Sequence, residues 1–281
     1  MPNTGIESRF QVPRWDEVPS PKLGNEEGLG ALKNSELGTR NSERFFNLEL
    51  GTGNMEPLYR RQRGYFARLY KEGGPTPWPS AKPTPSVTRV ARGLQRRLRG
   101  GRVLDLGCGE GRHTLLFARR GFSTVGLDYT ATPLRTVADR AHQAHLGERI
   151  RLVMGDALLP PLKPGSFDVL VDYGCFHHVK KADWSIYLSR VLGLLKPGGY
   201  FHLTVFSTKF KHYPGERRSR NWNVHRNHYD HFFVKRDFAK IFGDHCEILA
   251  IEEEHKGLDG FFHVLMRKEP TDLPRMEKCR R

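Results

Sequence analysis

The stretch Arg102-Val-Leu-Asp-Leu-Gly-Cys-Gly-Glu-Gly-Arg112 decides the fold of this chain. It begins with an apolar run of the kind that forms a strand buried on both faces of a sheet. Gly107, Gly109 and Gly111 then break the run, and the residues that follow, HTLLFARR, have a helical pattern. A strand, a glycine-rich turn and a helix N-terminus allow the backbone to approach a ligand closely, because no Cβ stands in the way. The stretch therefore predicts a ligand-binding α/β unit.

An acidic residue further along the chain indicates what kind of ligand is bound. The next apolar run, residues 123–127, is followed by Asp128, which lies 21 residues after Gly107. In nucleotide-binding α/β units, an acidic residue about 20 positions after the glycine turn reaches a ribose hydroxyl. The spacing predicts a cofactor that contains a nucleoside.

Two residues of the turn argue against a dinucleotide. The dinucleotide fingerprint has glycine at its sixth position, where this chain has Arg112, and Asp105 precedes the first glycine by two residues. A carboxylate at that place would repel a pyrophosphate, but it could hold the ammonium group of an amino acid. Asp105 could also simply cap a tight turn. An NAD-dependent oxidoreductase is thus a disfavoured alternative.

The sequence VLDLGCGEG resembles the first motif of the class I S-adenosylmethionine-dependent methyltransferases. The resemblance implies an α/β fold with a Rossmann-like, doubly wound sheet of seven strands, mostly parallel and closed by a C-terminal antiparallel hairpin. It also implies S-adenosylmethionine as cofactor and S-adenosylhomocysteine as product. Asp128 would then contact the ribose diol, and Tyr129 is also expected to bind the cofactor. The residues expected around the methionine part are Asp105, Leu106, Gly107, Cys108, Gly109 and Arg112.

Three later segments agree with this resemblance in order and spacing. An apolar run over 150–154 leads into Gly155-Asp156-Ala157, where an acidic residue of these enzymes accepts a hydrogen bond from the adenine amino group. Asp156 matches that position, although a plain turn aspartate would look the same. The segment Leu195-Lys-Pro-Gly-Gly199 resembles the turn that introduces the fifth strand, and residues 246–253 and 261–267 are predicted to form the closing hairpin.

The segment Asp172-Tyr-Gly-Cys-Phe-His-His178 follows a predicted strand over 167–171. Ligands of open α/β sheets bind outside the carboxyl ends of the strands, so this loop should face the transferred methyl group, with Tyr173 beside the cofactor. Within this segment, the sequence Gly174-Cys-Phe-His-His178 resembles the tellurite-resistance and thiopurine branch of small-molecule methyltransferases. It lacks the Asn/Asp-Pro-Pro-aromatic motif of nucleobase amino-methyltransferases.

Histidine titrates near neutrality, so His177 or His178 is a candidate general base toward an acceptor hydroxyl or amine. Alternatively, one histidine caps the helix that follows and the other is exposed. A thiolate acceptor would need no base.

The same branch has a similar region before its first motif. Here an aromatic helix over 56–72 leads into Pro75-Thr-Pro-Trp-Pro79, and a second helix is predicted over 86–99. The resemblance places Trp78 in a lid over the cofactor that excludes water from the methyl donor. The alternative is that Trp78 packs the two helices onto the core.

The connection over 207–231 is long, basic and aromatic, and connections at this end of a sheet usually shape acceptor pockets. His225, His228 and His231 recur within it at every third residue, a pattern that could hold a metal ion. The segment reads as irregular, however, and methyl transfer from a sulfonium needs no metal. No metal site is predicted.

The charge of the chain is unevenly distributed. The net charge is +15, yet residues 1–54 carry six basic and eight acidic residues, whereas residues 55–102 carry twelve Lys and Arg against two Glu. A basic surface favours anionic partners, so an RNA-directed methyltransferase or a nucleic-acid-binding protein is retained as an alternative to a solvated, arginine-rich face.

Four well-separated cysteines without a CxxC pair indicate a reducing compartment, for which the cytoplasm is the default. Neither a membrane span nor a signal peptide is indicated. The composition predicts a disordered extension over 1–54, a helical and lid region over 55–100, a catalytic core over 101–269 and a charged tail over 270–281.

Overall fold

Helices and strands alternate along most of the chain. The structure is a computed structural model and describes residues 57–71, 82–212, 215–254 and 260–270. The α-helices of this part are α1 (Pro57–Lys71), α2 (Pro85–Leu98), α3 (Arg112–Arg119), α4 (Ala131–Gln143), α5 (Trp184–Leu194) and α6 (Lys235–Phe242). The strands are β1 (Arg102–Leu106), β2 (Ser123–Asp128), β3 (Ile150–Met154), β4 (Phe167–Tyr173), β5 (Leu195–Phe206), β6 (Trp222–His225), β7 (His228–His231), β8 (Cys246–Glu254) and β9 (Phe261–Lys268).

Seven strands form one sheet in the order β3-β2-β1-β4-β5-β9-β8. Strands β1 to β5 pair in parallel, whereas β9 runs antiparallel to both β5 and β8. The strand order reverses between β1 and β4, which is where open α/β sheets bind their ligands. The predicted fold class, a mostly parallel doubly wound sheet with a C-terminal antiparallel hairpin, is confirmed. A sheet of the dinucleotide-binding type would instead end in a further parallel strand.

Both faces of the sheet are covered, which explains the nearly continuous apolar runs of the central strands. On one face, Leu104 and Leu106 of β1 pack with buried residues of α5 and α6, including Tyr187 and Phe238. On the other face, Val103 packs with buried residues of α2 and α3. The alternation of β1 side chains between the two faces thus joins two hydrophobic clusters across one strand.

The helices occur where hydrophobic periodicity predicts them. The apolar stripe over 184–195 becomes α5, whose buried residues include Tyr187, Val191 and Leu192. Pro85 occupies the first turn of α2, where a missing backbone N–H has no consequence.

Two local predictions were wrong. The connection over 207–231 is not irregular throughout, because β6 and β7 form an antiparallel ribbon with His225 opposite His228. Arg226 and Asn227 between them both have positive φ, +46° and +68°, as the two central residues of a tight hairpin do.

The second difference concerns the Leu195–Gly199 segment, which was predicted to be a turn before the fifth strand. Strand β5 already begins at Leu195, which pairs with Phe167, and a register irregularity precedes the pairing of Val169 with Tyr200. The proline and glycines therefore bend the start of a strand rather than separate it from the helix.

Several predictions lie outside the described residues. They include the disordered extension over 1–54, the lid residue Trp78 and, apart from Pro270, the charged tail over 270–281. Within the described residues, no helix is both long enough and apolar enough to cross a membrane.

Candidate active site

A cavity of about 380 Å³ opens at the carboxyl ends of β1, β2, β4 and β5, beside the point where the strand order reverses. Its size falls in the range of small-molecule sites. Almost every site residue predicted from the sequence lines it. These residues are Asp105, Gly107, Cys108, Gly109, Arg112, Asp128, Tyr129, Asp156, Ala157, Tyr173, His177 and His178. Leu106 is buried in the hydrophobic core instead.

The glycine turn needs its glycines because of backbone conformation and close packing. Gly107, Gly109 and Gly111 have φ values of +64°, +51° and +78°, which L-residues with a Cβ rarely adopt. A Cβ at Gly109 would lie only 2.8 Å from the hydroxyl of Tyr70 on α1. The turn is thus a close-packed bend, mostly buried and exposed at Gly107, with the first helix against one side of it.

The two buried aspartates beside the turn are tied to it by hydrogen bonds. Asp105 Oδ2 accepts a hydrogen bond from Thr114 Oγ1 at 2.6 Å, and Asp128 Oδ2 accepts one from the backbone N–H of Gly109 at 3.0 Å. Burial raises the pKa of Asp105 to about 6, although the Thr114 hydrogen bonds act against it. Burial likewise raises the pKa of Asp128, against hydrogen bonds from Thr130 and Gly109. Asp128 therefore fixes the turn relative to the end of β2.

Polar groups of the cavity continue from the turn toward β3 and β4. Asp156 is partly exposed, and its Oδ1 accepts a hydrogen bond from the backbone N–H of Leu158 at 2.8 Å. The guanidinium of Arg112 lies over the ring of Tyr173, 4.7 Å from its centroid. Burial lowers the pKa of Arg112, whereas Tyr173 and Asp105 act to raise it.

His178 is oriented by two acceptors on its Nδ1 side. Nδ1 lies 2.9 Å from the carbonyl oxygen of Tyr229 and 3.0 Å from Oδ1 of Asp230. Because both neighbours can only accept hydrogen bonds, Nδ1 must carry the hydrogen, and in the neutral ring Nε2 has the lone pair. Nε2 of His178 lies 3.2 Å from Nε2 of His177, which therefore donates to it.

His177 is less suited than His178 to exchange a proton with a ligand. Its ring is buried and stacks on Phe206 with 3.8 Å between the ring centroids. Burial and the neighbouring His178 hold the pKa of His177 well below its ordinary value. His178 is partly exposed, with 17% of its side chain accessible.

Asp230 is a site residue that sequence reasoning missed. It lies on β7, is fully buried, and its Oδ2 is 3.2 Å from Nε2 of His228. Burial acts to raise the pKa of Asp230, but its contacts with His178 and His228 outweigh burial and leave the pKa well below its ordinary value. The only indication in the sequence was that Asp230, an acidic residue, lies between the repeated histidines His228 and His231.

The histidine triplet that was considered for a metal does not converge. His228 and His231 are three residues apart on one strand, so they face opposite sides of the ribbon, and His231 Nε2 contacts Asn221 Nδ2 at 3.0 Å. Within the described part of the chain, the residues that do lie close enough to share an ion are His177, His178 and Asp230. In this group of three, however, the carboxylate of Asp230 contacts Nδ1 of His178, which is the ring nitrogen that carries the hydrogen.

Helix α1 covers the site and holds the histidine loop in place. Gln62 is buried, and its Nε2 donates to the carbonyl of His178 at 3.2 Å while its Oε1 accepts from the N–H of Tyr229 at 3.0 Å. Phe66 packs edge-on to His178, and Tyr65 stacks on His228 with 4.4 Å between centroids. The sequence predicted an aromatic helix here, but it carried no signal that its polar residue Gln62 joins two site loops.

Comparisons with known proteins agree with this arrangement. Residues 103–199 match a family model described as a methyltransferase domain. A segment of 114 residues, 41% of this chain, is 32% identical to 43% of the ubiquinone biosynthesis O-methyltransferase of Rhodopseudomonas palustris. Another of 106 residues, 38% of this chain, is 34% identical to 51% of an uncharacterized methyltransferase of Mycobacterium bovis. The chain thus spans about half or less of the length of these curated relatives.

Among solved structures, the 1,6-didemethyltoxoflavin-N1-methyltransferase of Burkholderia thailandensis, with bound 1,6-didemethyltoxoflavin and S-adenosylhomocysteine, is similar over 77% of this chain and 92% of that one. Its TM-score is 0.61 at 22% identity. The magnesium protoporphyrin IX methyltransferase of Synechocystis PCC 6803 with bound S-adenosylmethionine is similar over 78% of this chain and 87% of that one, with a TM-score of 0.51 at 16% identity. Residues 103–199 of this chain are therefore similar in sequence to a methyltransferase domain, and the seven-stranded sheet has the fold of these solved methyltransferases.

Proposed function

We propose that this protein transfers the methyl group of S-adenosylmethionine to a small molecule, with His178 as general base. The observation that carries the proposal is the continuity of one cavity. The glycine turn, Asp128 and Asp156 line one part of it, and the His178–Asp230 pair lines another. A cofactor seated on the turn and an acceptor held at His178 would therefore meet in one enclosed space.

The residues of the turn fit the proposed cofactor. Gly107 and Gly109 give the turn its shape, because both have positive φ and a Cβ there would lie 3.2 Å from Cβ of Cys175 and 2.8 Å from the Tyr70 hydroxyl. Asp105 suits an ammonium group, as Arg112 suits a carboxylate. Asp128 suits the ribose diol and Asp156 suits the adenine amino group. When bound, S-adenosylmethionine supplies a methyl group on a positively charged sulfur that is a good leaving group. The chain then has to align the acceptor and exclude water.

His178 is placed to take the proton of an acceptor hydroxyl or N–H group. The lone pair of Nε2 would accept this proton once the hydrogen bond from His177 gives way to the acceptor. The resulting imidazolium would be stabilised by Asp230, 3.0 Å from Nδ1. Together, these contacts make an oxygen or nitrogen acceptor more plausible chemically than a thiolate, which would need no base.

The acceptor end of the cavity favours a small, flat molecule. Its walls include the rings of Phe66, Phe206, Phe210 and Phe261, and aromatic walls pack well against planar ligands. The resemblance of residues 174–178 to the tellurite-resistance and thiopurine branch supports the same class of acceptor. The relatives are named for O-methylation and for N1-methylation of small molecules, so they fit either acceptor atom.

The first test is calorimetric binding of S-adenosylhomocysteine beside NADH. We expect the wild type to bind S-adenosylhomocysteine, Asp156→Ala to bind it at least tenfold more weakly, and Asp139→Ala to bind it unchanged. Asp139 is the matched control because it is exposed on α4 and does not line the cavity. Tight binding of NADH without S-adenosylhomocysteine would refute the proposal.

The second test identifies the acceptor. Purified protein is incubated with S-adenosylmethionine labelled on its methyl group and with fractionated cell extract, and the labelled product is sought in the small-molecule and RNA fractions. Label in a small molecule supports the proposal. Label confined to RNA would favour the alternative of an RNA-directed enzyme, for which a salt titration of RNA binding is the companion measurement.

A further inference from the structure

One further carboxylate of the cavity lies on the seven-stranded sheet, whereas Asp230 lies on the β6–β7 ribbon. Glu254 ends β8 and pairs with Phe261 at the start of β9, and both residues line the cavity. The side chain of Glu254 is 43% exposed, and its Oε2 lies 2.9 Å from Nε2 of His263. This carboxylate takes no part in the proposed cofactor contacts or in the proton transfer to His178.

A buried hydrogen-bond chain orients Glu254. Nε2 of His263 faces a carboxylate, so it must carry a hydrogen, while Nδ1 lies 3.0 Å from the hydroxyl of Thr204. Burial lowers the pKa of His263, although Glu254 acts to raise it, so the ring is neutral near pH 7. Thr204 then donates to Nδ1 and His263 donates to Glu254. Such a chain fixes the carboxylate without neutralising its charge.

The neighbouring acidic residues of β8 have charged partners, unlike Glu254. Glu252 forms an ion pair with Arg89 at 2.9 Å, and Glu253 forms one with Lys209 at 2.9 Å. Glu254 is paired instead with the neutral His263. Of these three carboxylates, it is Glu254 that lines the cavity.

Phe261, which pairs with Glu254, belongs to a group of aromatic rings that line the same cavity. The ring centroids of Phe206 and Phe210 are 4.1 Å apart, those of Phe206 and Phe261 are 5.3 Å apart, and Tyr173 lies 6.2 Å from Phe261. The faces of aromatic rings attract cations, and the attraction is larger where water is excluded. A fixed carboxylate beside several rings is the environment that a protonated amine prefers.

We propose that Glu254 and the rings of Phe206, Phe210 and Phe261 form a subsite for a protonated amine, which selects acceptors that carry an aliphatic ammonium group. This inference rests on the proposed function, because the ligand is the methyl acceptor. The acceptor would place its reacting hydroxyl or N–H group at His178 and its ammonium group at Glu254.

The test uses three phenols that differ in charge: tyramine, 4-propylphenol and 3-(4-hydroxyphenyl)propionate. Their affinities for the full chain are measured by calorimetry and ligand-detected NMR, with and without S-adenosylhomocysteine. We expect the wild type to bind tyramine at least tenfold more tightly than the propionate. In Glu254→Gln the two affinities should come within about threefold of each other.

The matched control is Glu252→Gln, which removes the same charge from the same strand at a residue that does not line the cavity. It should keep the tenfold preference. A wild type that does not prefer tyramine, or that binds no tyramine at millimolar concentration, overturns the inference, as does a preference that survives in Glu254→Gln. Glu254→Asp, which keeps the charge, should keep part of the preference and shows that loss in Glu254→Gln is not misfolding.

Failure of this inference is distinguishable from failure of the proposed function. Binding of S-adenosylhomocysteine reports on the glycine turn and does not require Glu254. A protein that binds the cofactor product but does not discriminate among the phenols refutes only the amine subsite. A protein that prefers tyramine without binding S-adenosylhomocysteine refutes only the methyltransferase.

Discussion

Oδ1 of Asp230 lies 3.0 Å from Nδ1 of His178, and this contact joins a β-ribbon inserted after the fifth strand to the loop that follows the fourth. The hydrogen bond of Nδ1 to the Tyr229 carbonyl fixes the tautomer of His178, and the lone pair of its Nε2 is then on the side away from the Asp230 carboxylate. That carboxylate also provides a negative charge for the imidazolium that proton transfer would create. In the proposed mechanism the ribbon therefore supplies the partner of the general base, in addition to lining the cavity.

Asp230→Asn should lower the rate of acceptor methylation without lowering cofactor affinity. The amide is uncharged and cannot stabilise the imidazolium of His178, so we expect kcat to fall about 100-fold, the lower end of the range for general acid–base catalysis. His178→Asn should cause a similar loss, and the double variant should be no worse than either single one, because both residues serve one step. The measurements are initial rates and calorimetry with S-adenosylhomocysteine. Full activity in Asp230→Asn would contradict the role given to the pair.

Gln62→Leu should loosen α1 from the site. The substitution removes the donor to the His178 carbonyl and the acceptor for the Tyr229 N–H, and an unpaired buried polar group costs about 1–3 kcal/mol. Amide hydrogen exchange of α1 should therefore become at least tenfold faster. Arg60→Ala, at an exposed position of the same helix, is the control and should leave this exchange unchanged. Equal protection in both variants would show that Gln62 does not hold the helix.

Gly109→Ala should weaken cofactor binding through two separable effects. The positive φ costs a residue with a Cβ about 1 kcal/mol, and the added methyl carbon would lie 2.8 Å from the Tyr70 hydroxyl. Tyr70→Phe removes that hydroxyl. We therefore expect the double variant to recover part, but not all, of the affinity for S-adenosylhomocysteine measured by calorimetry. An unchanged affinity in Gly109→Ala would mean that the turn does not contact the cofactor.

The sequence analysis identified those parts of the molecule that depend on residues near one another along the chain. The glycines of the turn and the aspartates that end β2 and follow β3 sit at fixed spacings, because a strand and a helix of ordinary length separate them. The same holds for the apolar stripe of α5, which reports a buried face directly.

What the sequence could not indicate depends on contacts between distant segments. Gln62, Asp230 and Glu254 come from α1, β7 and β8, and each is an ordinary polar residue until the fold brings it to the cavity. The hairpin over 222–231 was missed because its turn residues are Arg226 and Asn227, without the glycine that usually marks such a turn. Hydrophobic periodicity cannot detect strands whose side chains are mostly histidine, tyrosine and aspartate.

The stability of the protein should fall as the pH is lowered from 7.5 to 5.5. Burial lowers the pKa of five described histidines, to about 3 for His202 and about 4 for His231; the others are His113, His177 and His263. These rings stay neutral in the folded chain but become protonated in the unfolded chain below pH 6.5. Across this range the protonation of His202 and of His231 in the unfolded chain lowers the free energy of unfolding by about 1 kcal/mol each, and the other three histidines act in the same direction.

Buried carboxyl groups act in the opposite direction, and they include Asp128 and Glu252, whose pKa values burial also raises. Burial raises the pKa of Asp105 and of Asp172 to about 6, so the folded chain binds these protons at a higher pH than the unfolded chain and gains stability as the pH falls through 6. The five histidines outweigh these carboxyl groups, so we expect a net loss of stability, measured by urea unfolding at several pH values.

The variant His202→Leu removes one of these buried histidines and so measures its contribution to the pH dependence of stability. His202 is buried on β5 and does not line the cavity. The variant should lose about 1 kcal/mol less stability than the wild type between pH 7.5 and 5.5. Phe201→Leu, the adjacent core residue, removes packing but no titrating group, so it should lower stability by a similar amount at every pH. If His202→Leu showed the full pH dependence of the wild type, then His202 would not be held neutral by its burial.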